Sequence, residues 1–441
     1  MITLSLPGEH RTPIAEDAMS LSHRPVAKVL ALLVLAAALP ARADDYRTPR
    51  AGEVAVGTIF GKEVRAPKRD RTRITYLNLG AVLLVDGPDG LGFGPAGGAY
   101  FWRAPEEGES RFRAIVAGLS NEIRYDLAVS ENKVVAVVAS FDSLTLPWAR
   151  SEYVQGERQR SEELEWNQAR LGVGLAAHGR IGPGAIDNVL DVALTLETGN
   201  LWFDEGDHTD PSFVRPTNTF EYRGHLRARA DALVRNIVEL PHRGWSAGAD
   251  GVWGRRGEWE PWGLPSEGLE TGGDSWLAGS AFAVVATGVP GLSERTTLVA
   301  SAHAGTGSDL DRFSAFRLGS GSTWGDFETL SRVILPAAGV DEIATARYAT
   351  VDLELRYEPL FFLYLQLKGT LAWADVPVHG AAGIETRTGS FPAVTAGFTT
   401  GLPWNLSMEF AASRNFGLEK TVDDRVEKGR SGFFVSVTKE F

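Results

Sequence analysis

Residues 220–231 read FEYRGHLRARAD and alternate between two kinds of side chain. Every even position is apolar or small, and every odd position carries an ionisable group. Because successive side chains of a β-strand point to opposite faces, this segment is predicted to be a strand with one apolar and one charged face. Residues 348–358 repeat the pattern and are predicted to form a second strand of the same kind.

The polar faces of these two segments consist almost entirely of acidic and basic side chains. The polar face of a soluble sheet usually also contains many uncharged polar side chains. A charged face is expected of a strand that separates lipid from a water-filled interior. These charges could line an aqueous pore, pin a loop inside a barrel, or fill a polar interior without any selective role. The residues predicted to face the interior are Glu221, Arg223, His225, Arg227, Arg229, Asp231, Asp352, Glu354 and Arg356.

About sixteen segments with this alternation occur between residues 74 and 441, and short and long connections separate them in turn. The chain is therefore predicted to be all-β, a transmembrane antiparallel β-barrel with both ends in the periplasm. No stretch offers the ~18 uninterrupted apolar residues of a spanning helix. The predicted long connections are 143–165, 204–218, 257–274, 375–390 and 414–430, together with a largest loop at 306–347.

The first 43 residues are predicted to be a cleavable signal peptide with its true start at Met19. Arg24 and Lys28 precede a short apolar stretch, and a small-x-small cleavage site ends at Ala43. Residues 44–73 are expected to be a short periplasmic segment, and residues 74–441 the barrel. Export would place the mature chain in the bacterial outer membrane.

Composition excludes several classes of protein. The 441 residues carry a formal net charge of -12, so nucleic acid is not expected as a partner. The chain has no Cys, which removes disulfide scaffolds, thiolate catalysis and Cys-ligated metals. No metal site and no cofactor are predicted.

The chain ends in a strand that resembles the C-terminal targeting signal of outer-membrane barrels. Its apolar face would carry Phe433, Val435, Val437 and the terminal Phe441. The barrel-assembly machinery is therefore an expected partner during biogenesis.

Three stretches resemble the BamA/TamA superfamily of bacterial surface antigens. The largest predicted loop lies between the eleventh and twelfth strands and contains Arg317, Leu318 and Gly319, followed by Trp324 and Gly325. Leu318, Gly319 and Gly325 match the family's loop motif, but Trp324 stands where the family has Arg. Residues 234–244 resemble the family's periplasmic turn, and residues 353–357 resemble its Glu-x-Arg strand.

This resemblance implies a sixteen-stranded barrel whose large extracellular loop folds inward. Family members that insert or export proteins carry periplasmic POTRA domains, and residues 44–73 are too few for one. The resemblance therefore implies a barrel-only member with a degenerate loop motif, and it implies the fold better than the activity.

Searches of the sequence for hydrolase, metalloprotease, P-loop and dinucleotide fingerprints give no match. The nearest nucleophile setting is residues 319–322, GSGS, which lacks a strand-turn-helix context. The acidic segment 204–210 lacks the spacing of a calcium loop and is interpreted as a solvated loop. We therefore predict that the chain is not an enzyme.

The preferred function from sequence is a non-enzymatic outer-membrane protein that aids assembly or transfer of protein or lipid, or serves as a surface scaffold. A passive porin-like channel for small solutes is the alternative, and a lipid-modifying barrel enzyme is a weaker one. Expected partners are the lipopolysaccharide and phospholipid of the outer membrane. The sequence does not identify a protein client.

Overall fold

A computed structural model provides the coordinates of this chain. The predicted signal peptide, residues 1–43, lies outside the described residues, and so do Trp324 and Gly325 of the loop motif. The structure describes residues 54–59, 62–66, 72–88, 90–104, 110–181, 189–235, 240–293, 295–321, 329–360, 362–380, 383–422 and 425–441.

Sixteen antiparallel strands, numbered β1 to β16 in chain order, form one closed barrel in the described part of the chain. This confirms the predicted fold class. The strands are β1 Arg73–Gly87, β2 Gly90–Arg103, β3 Ser110–Val116, β4 Ser120–Ala128, β5 Val135–Leu144, β6 Leu164–Arg180, β7 Val189–Glu205, β8 Thr219–Asp231, β9 Pro241–Arg256, β10 Ser275–Gly288, β11 Thr296–Ser308, β12 Arg347–Leu360, β13 Leu363–Gly380, β14 Gly383–Ser390 with Ala393–Leu402, β15 Leu406–Val422 and β16 Arg425–Glu440.

The barrel closes where the last strand pairs with the first. β16 and β1 form an antiparallel ladder that runs from Gly432 opposite Leu84 to Glu440 opposite Tyr76. Closure leaves each strand with a partner on both sides along at least part of its length, which is what a strand needs in hydrocarbon, where no water can satisfy its backbone. Both chain ends of the barrel lie at the same end of the tube, and the longest loops lie at the other end.

The outer surface of the barrel is apolar. On β7, Leu194 and Leu196 are 54% and 66% exposed, whereas the alternate residue Thr195 is buried. On β9, Trp245 and Trp253 point outward eight residues apart. That spacing is about 26 Å of strand and, at a tilt of about 40°, about 20 Å of height, close to the apolar band of a membrane barrel. Among the described residues, no helix is long and apolar enough to cross a membrane.

A charge on this outer surface should destabilise the barrel. Leu194→Arg is expected to lower the free energy of unfolding by about 2–4 kcal/mol, because Leu194 faces lipid and a guanidinium there would lose its hydration. Urea unfolding of the protein in lipid vesicles, followed by tryptophan fluorescence, measures the change. Thr386→Arg, on an exposed part of β14, is the control and should leave stability within about 0.5 kcal/mol. Equal losses in the two variants would contradict a lipid contact at Leu194.

Two connections predicted to be long loops are instead tall β-hairpins. Residues 373–380 of β13 pair with residues 383–390 of β14, so the loop predicted at 375–390 is wrong. Residues 419–422 of β15 pair with residues 425–428 of β16 beyond a bulge, so the loop predicted at 414–430 is also wrong. Both hairpins lie at the end of the barrel that carries the long loops.

The shortest ladder of the barrel joins β2 to β3. Within the described residues it holds five residue pairs, from Ala99 opposite Val116 to Arg103 opposite Phe112. The rest of β2, residues 90–98, pairs with β1 alone, because β3 turns back into β4 at residues 117–119. The side chains of Leu91 and Phe93 on this part of β2 are 74% and 71% exposed.

The largest loop connects β11 to β12 and spans residues 309–346, as predicted. Phe316–Leu318 pairs antiparallel with Ile343–Thr345 and closes the loop into a compact unit. A second small pairing lies before the barrel, where Ala55–Ile59 pairs with Lys62–Ala66.

Candidate functional site: the loop-filled lumen

The charged face of β8 points into the barrel. Glu221, Arg229 and Asp231 are at most 3% exposed, whereas Phe220 and Tyr222 on the opposite face are more than half exposed. The sequence pattern positions these side chains because residues two apart in a strand share a face.

Most of the β8 charges pair with the walls beside them. Arg223 lies 3.3 Å from the carboxylate of Glu197 on β7. His225 lies between Glu197 and Asp250, with its Nε2 atom 3.0 Å from Asp250 on β9. Arg227 and Arg229 also contact Asp250, at 3.5 Å and 2.5 Å. These contacts are wall-to-wall ion pairs, so the charges bind the strands together and do not line an open path.

Asp231 and Glu221 lie at the two ends of β8. Asp231 pairs with Arg235 at 2.7 Å, just beyond the strand. Glu221 accepts a hydrogen bond from Arg170 at 2.8 Å across β7 and lies 3.6 Å from Arg256. Glu221 is thereby connected to the large loop, because Arg256 also contacts the loop residue Asp311.

The second predicted group, on β12, lies in another part of the lumen. Arg356 donates to Glu354 at 2.6 Å and to the carbonyl oxygen of Pro241 at 2.7 Å. Asp352 accepts hydrogen bonds from Ser301 and Thr370. The structure therefore does not bring the β8 and β12 groups together into one cluster.

The large loop enters the lumen. Leu330 packs in an apolar cluster with Phe282, Val284 and Val299 on the walls of β10 and β11. The carbonyl oxygen of Leu330 lies 2.8 Å from Nε2 of His303, which is midway along β11. The described part of the loop therefore reaches well below the rim, as the family resemblance implies.

Three residues of the predicted loop motif are described. Both terminal nitrogens of Arg317 donate to Glu152 at 2.9 Å. Leu318 is 1% exposed and packs with Leu335 and Leu418. A Cβ atom on Gly319 would collide with backbone atoms of Gly339 and of the chain that follows it, so only Gly fits.

Ion pairs that the sequence analysis missed fix this loop to the walls. Asp311 contacts Arg256 of β9 at 2.6 Å, and Glu342 contacts Arg430 of β16 at 2.5 Å. The side-chain amide of Asn415 on β15 donates to the carbonyl oxygen of the loop residue Pro336 at 3.1 Å. The loop is thus tied to opposite sides of the barrel.

An aromatic cluster lies among the loops at this end of the barrel. Phe313 of the large loop contacts Phe203 at a centroid distance of 4.7 Å and Trp262 at 5.1 Å, with Trp166 and Trp259 within 6.0 Å. Trp262 is 4% exposed, which favours loop-core packing.

The acidic segment 204–210 forms part of an outer loop. Asp204 pairs with Arg215 at 3.3 Å, and Asp210 accepts hydrogen bonds from Ser212. His208 lies 2.9 Å from Glu163. The segment is thus held by local partners within the described loop.

Asp126, His178 and Asp191 meet in the lumen with their potential ligand atoms within 4.8 Å of one another. Arg124 donates to both carboxylates, at 2.8 Å and 3.3 Å, and Arg111 lies 3.0 Å from Nδ1 of His178. Two guanidinium groups therefore balance the two carboxylates. The arrangement is an ion-pair network that the sequence analysis did not single out, because its members come from four strands.

The C-terminal residues predicted to form a targeting signal lie on the outer surface. Phe433, Val435 and Val437 point outward from β16, each about two-fifths exposed. Phe441 is 73% exposed, and its backbone nitrogen donates to the carbonyl oxygen of Thr75. Their role in targeting stays a prediction.

Electrostatics hold the loop at Glu152. Burial raises the pKa of the Glu152 carboxyl, but Arg317 and Arg312 outweigh burial and lower that pKa from 4.5 to about 2. Because the pKa is lowered by docking, the contact stabilises the docked loop fully above about pH 4.5. The stabilisation is lost as the pH falls through about 2.

Acid should therefore weaken the contact that holds the large loop to Glu152. Between pH 5 and pH 2 the Glu152 contact is expected to lose on the order of 3 kcal/mol. Planar-bilayer recordings across this range measure the rise in opening events. Glu152→Gln should open more often at neutral pH and show a smaller acid response. Glu157→Gln is the control, because Glu157 is an exposed carboxylate in the loop between β5 and β6 that also contains Glu152. This variant should behave as the unmodified chain does. An unchanged acid response in Glu152→Gln would contradict the assignment.

Solved structures similar to this chain are β-barrel proteins. The crystal structure of BamA from Haemophilus ducreyi lacking POTRA domains 1-3 shares 11% identity, with 88% of this chain and 75% of that chain covered and a TM-score of 0.48. CdiB from Acinetobacter baumannii shares 10% identity over 88% of this chain, which spans 65% of that chain, with a TM-score of 0.47. The Pseudomonas putida toluene transporter TodX gives 8% identity, coverage of 84% and 90%, and a TM-score of 0.32. No protein-family model and no curated protein matches the chain. At these identities the likeness concerns the fold alone.

Proposed function

We propose that this chain is a non-enzymatic protein of the bacterial outer membrane that aids the assembly or transfer of proteins or lipids there. The observation that carries the proposal is the large loop, which lies inside the lumen and is tied to β9 through Asp311, to β16 through Glu342 and to a neighbouring loop through Arg317. If the loop closes the lumen, a protein or lipid client would bind to the outer wall of the barrel or to its rims.

The same loop makes a permanently open channel the weaker reading. Solutes crossing freely would need an unobstructed lumen, and the loop residues Leu318 and Leu335 are buried against the inner wall in a cluster that includes Leu418. An enzyme has even less support. The hydroxyl of Ser320 donates to the carbonyl oxygen of Leu335, and Nε2 of His303 binds the carbonyl oxygen of Leu330, so each is committed to the loop backbone.

Reconstituted vesicles test the assembly and transfer role. Vesicles holding the full chain should speed the insertion of a urea-unfolded outer-membrane barrel, or the transfer of a fluorescent phospholipid between vesicles, relative to vesicles holding an unrelated barrel of similar size. A rate equal to that of the unrelated barrel in both assays would overturn the proposal.

Electrical recordings test the closed lumen separately. The full chain should show no steady conductance in a planar bilayer, and deletion of residues 309–346 should give steady conductance. Steady conductance of the intact chain would favour the porin-like alternative.

A further inference from the structure

The two halves of the lumen differ in how they are filled. On the side of β6 to β9, the ion pairs of Arg170, Glu197, Arg223 and Asp250 occupy the interior. On the side of β11 to β16 and β1, the structure contains two adjoining cavities. A route through these two cavities runs along the second side of the lumen.

The lower cavity has a volume of about 140 Å³ and lies at the barrel end where the chain enters and leaves. Its walls carry Asp352 and Lys368, which are of opposite charge, and hydroxyl groups such as those of Ser301 and Thr399. The cavity is also lined by apolar side chains such as Val284, Val299 and Leu330, so its walls offer both polar and apolar contacts to a small solute.

The upper cavity, about 70 Å³, continues the lower one. Both are lined by Ile334, Gln366 and Lys368, so they meet at this level of β13. The upper cavity reaches Pro336 of the large loop and Phe434 of β16. The two together extend from one end of the barrel to the underside of the loop.

A vestibule of about 1080 Å³ lies on the other side of the loop, between the two tall hairpins and the neighbouring loops. Glu342, Leu418 and Arg430 line it, whereas Pro336 lines the cavity below. Only a thin layer of loop and wall therefore separates the vestibule from the lower cavities.

That layer is made of buried groups. Leu335 and Asn415 are 0% exposed and Arg430 is 2% exposed. Two polar contacts hold the layer to the wall, the ion pair between Glu342 and Arg430 and the hydrogen bond from Asn415 to Pro336. We call these two contacts the latch. The anchor between Asp311 and Arg256 lies on β9, away from this wall.

We propose that small solutes, including ions, cross this barrel along the wall of β13 to β16, and that the latch, whose ion pair joins Glu342 and Arg430, closes the route. Residues 335–342 can leave the wall while residues 309–317 stay held by Arg256 and Glu152, so passage does not require the whole loop to leave the lumen. The inference goes beyond the assembly role proposed above, because it needs no client.

Conductance of potassium chloride through the full chain tests the latch. Glu342→Gln should raise the time spent open at least about tenfold, because it leaves the guanidinium of Arg430 buried without its carboxylate. Glu427→Gln is the matched control and should stay near the unmodified level, since Glu427 is an exposed carboxylate on the same strand as Arg430 and does not touch the described part of the loop. The double variant Glu342→Arg with Arg430→Glu exchanges the two charges and should restore closure. Restored closure would show that the ion pair closes the route and that Glu342→Gln does not act by misfolding the chain.

The position of the route can be read with single cysteines, because the chain has none of its own. In the Glu342→Gln background, a thiol-reactive reagent should block the current at Gln366→Cys on β13. It should not block the current at Thr195→Cys, which lies on the filled side. Absence of conductance in Glu342→Gln when the loop-deleted chain conducts, equal conductance in Glu427→Gln, or block at Thr195→Cys alone would each overturn the inference. None of these outcomes depends on the assembly assay.

Discussion

Replacing Arg256 by Met should lower the free energy of unfolding by about 3–5 kcal/mol, the range for removing one partner of a buried ion pair. The side chain of Arg256 is fully buried, 2.6 Å from Asp311 and 3.6 Å from Glu221. Its guanidinium also lies over the rings of Trp259 and Trp276, at 4.1 Å and 4.7 Å. Without it, Asp311 would be left buried without its cation, and Glu221 would keep Arg170 alone.

Urea unfolding in lipid vesicles measures this loss. The neighbouring Arg255→Met is the matched control, because Arg255 is exposed on the other face of β9. Adding Asp311→Asn to Arg256→Met should recover part of the stability, since the carboxylate left without a cation is then removed. A loss in Arg256→Met no larger than that in Arg255→Met would show that Arg256 does not hold the loop.

Phe313→Ala should release the aromatic cluster at the loop end of the barrel. Phe313 is 7% exposed and touches the rings of Phe203, Trp262, Trp166 and Trp259. Truncating a buried Phe typically costs about 3–5 kcal/mol, as lost burial plus an unfilled cavity. Because Phe313 belongs to the large loop and not to a strand, its truncation should destabilise the docked loop and leave the strands unaffected.

Hydrogen exchange of the amides in residues 309–321 measures the docking of the loop. Faster exchange there, with unchanged exchange in β6 and β7, is expected for Phe313→Ala. Phe416→Ala removes a ring that is 48% exposed on the barrel's exterior and serves as the control. Protection of the loop that is equal in the two variants would contradict the role given to Phe313.

The strands could be predicted because a membrane barrel imposes one simple rule on each of them. Phe220 and Tyr222 face outward and Glu221 inward, so two-residue periodicity is written directly into the sequence. The large loop was also predictable, since residues 306–347 interrupt that periodicity. Its inward fold came from the family resemblance and not from any property of the loop sequence.

The tall hairpins could not be predicted in this way. Above the membrane both faces of a strand meet water, so residues 383–390 and 419–428 carry polar groups without alternation. Backbone pairing alone makes these segments strands, and it produces no alternating pattern of side chains, so the sequence predicts loops there.

The anchors of the loop were hidden for a different reason. Glu152 and Arg317 are 165 residues apart in sequence, and Glu342 and Arg430 are 88 apart. In the sequence, none of these residues differs from an ordinary surface charge, because only closure of the barrel brings each pair together. For the same reason, the sequence predicts that the charges of β8 face the lumen, but it does not predict their partners on β7 and β9.

The five-pair ladder between β2 and β3 has a mechanical consequence for the tube. A sideways pull on the wall is borne by the interstrand hydrogen bonds, and each junction resists in proportion to the number it holds. The junction where the chain's two end strands meet carries nine residue pairs, so it is the stronger of the two. Stretching the surrounding bilayer should therefore tear this cylinder open beside Val116, leaving the union of its first and last strands intact.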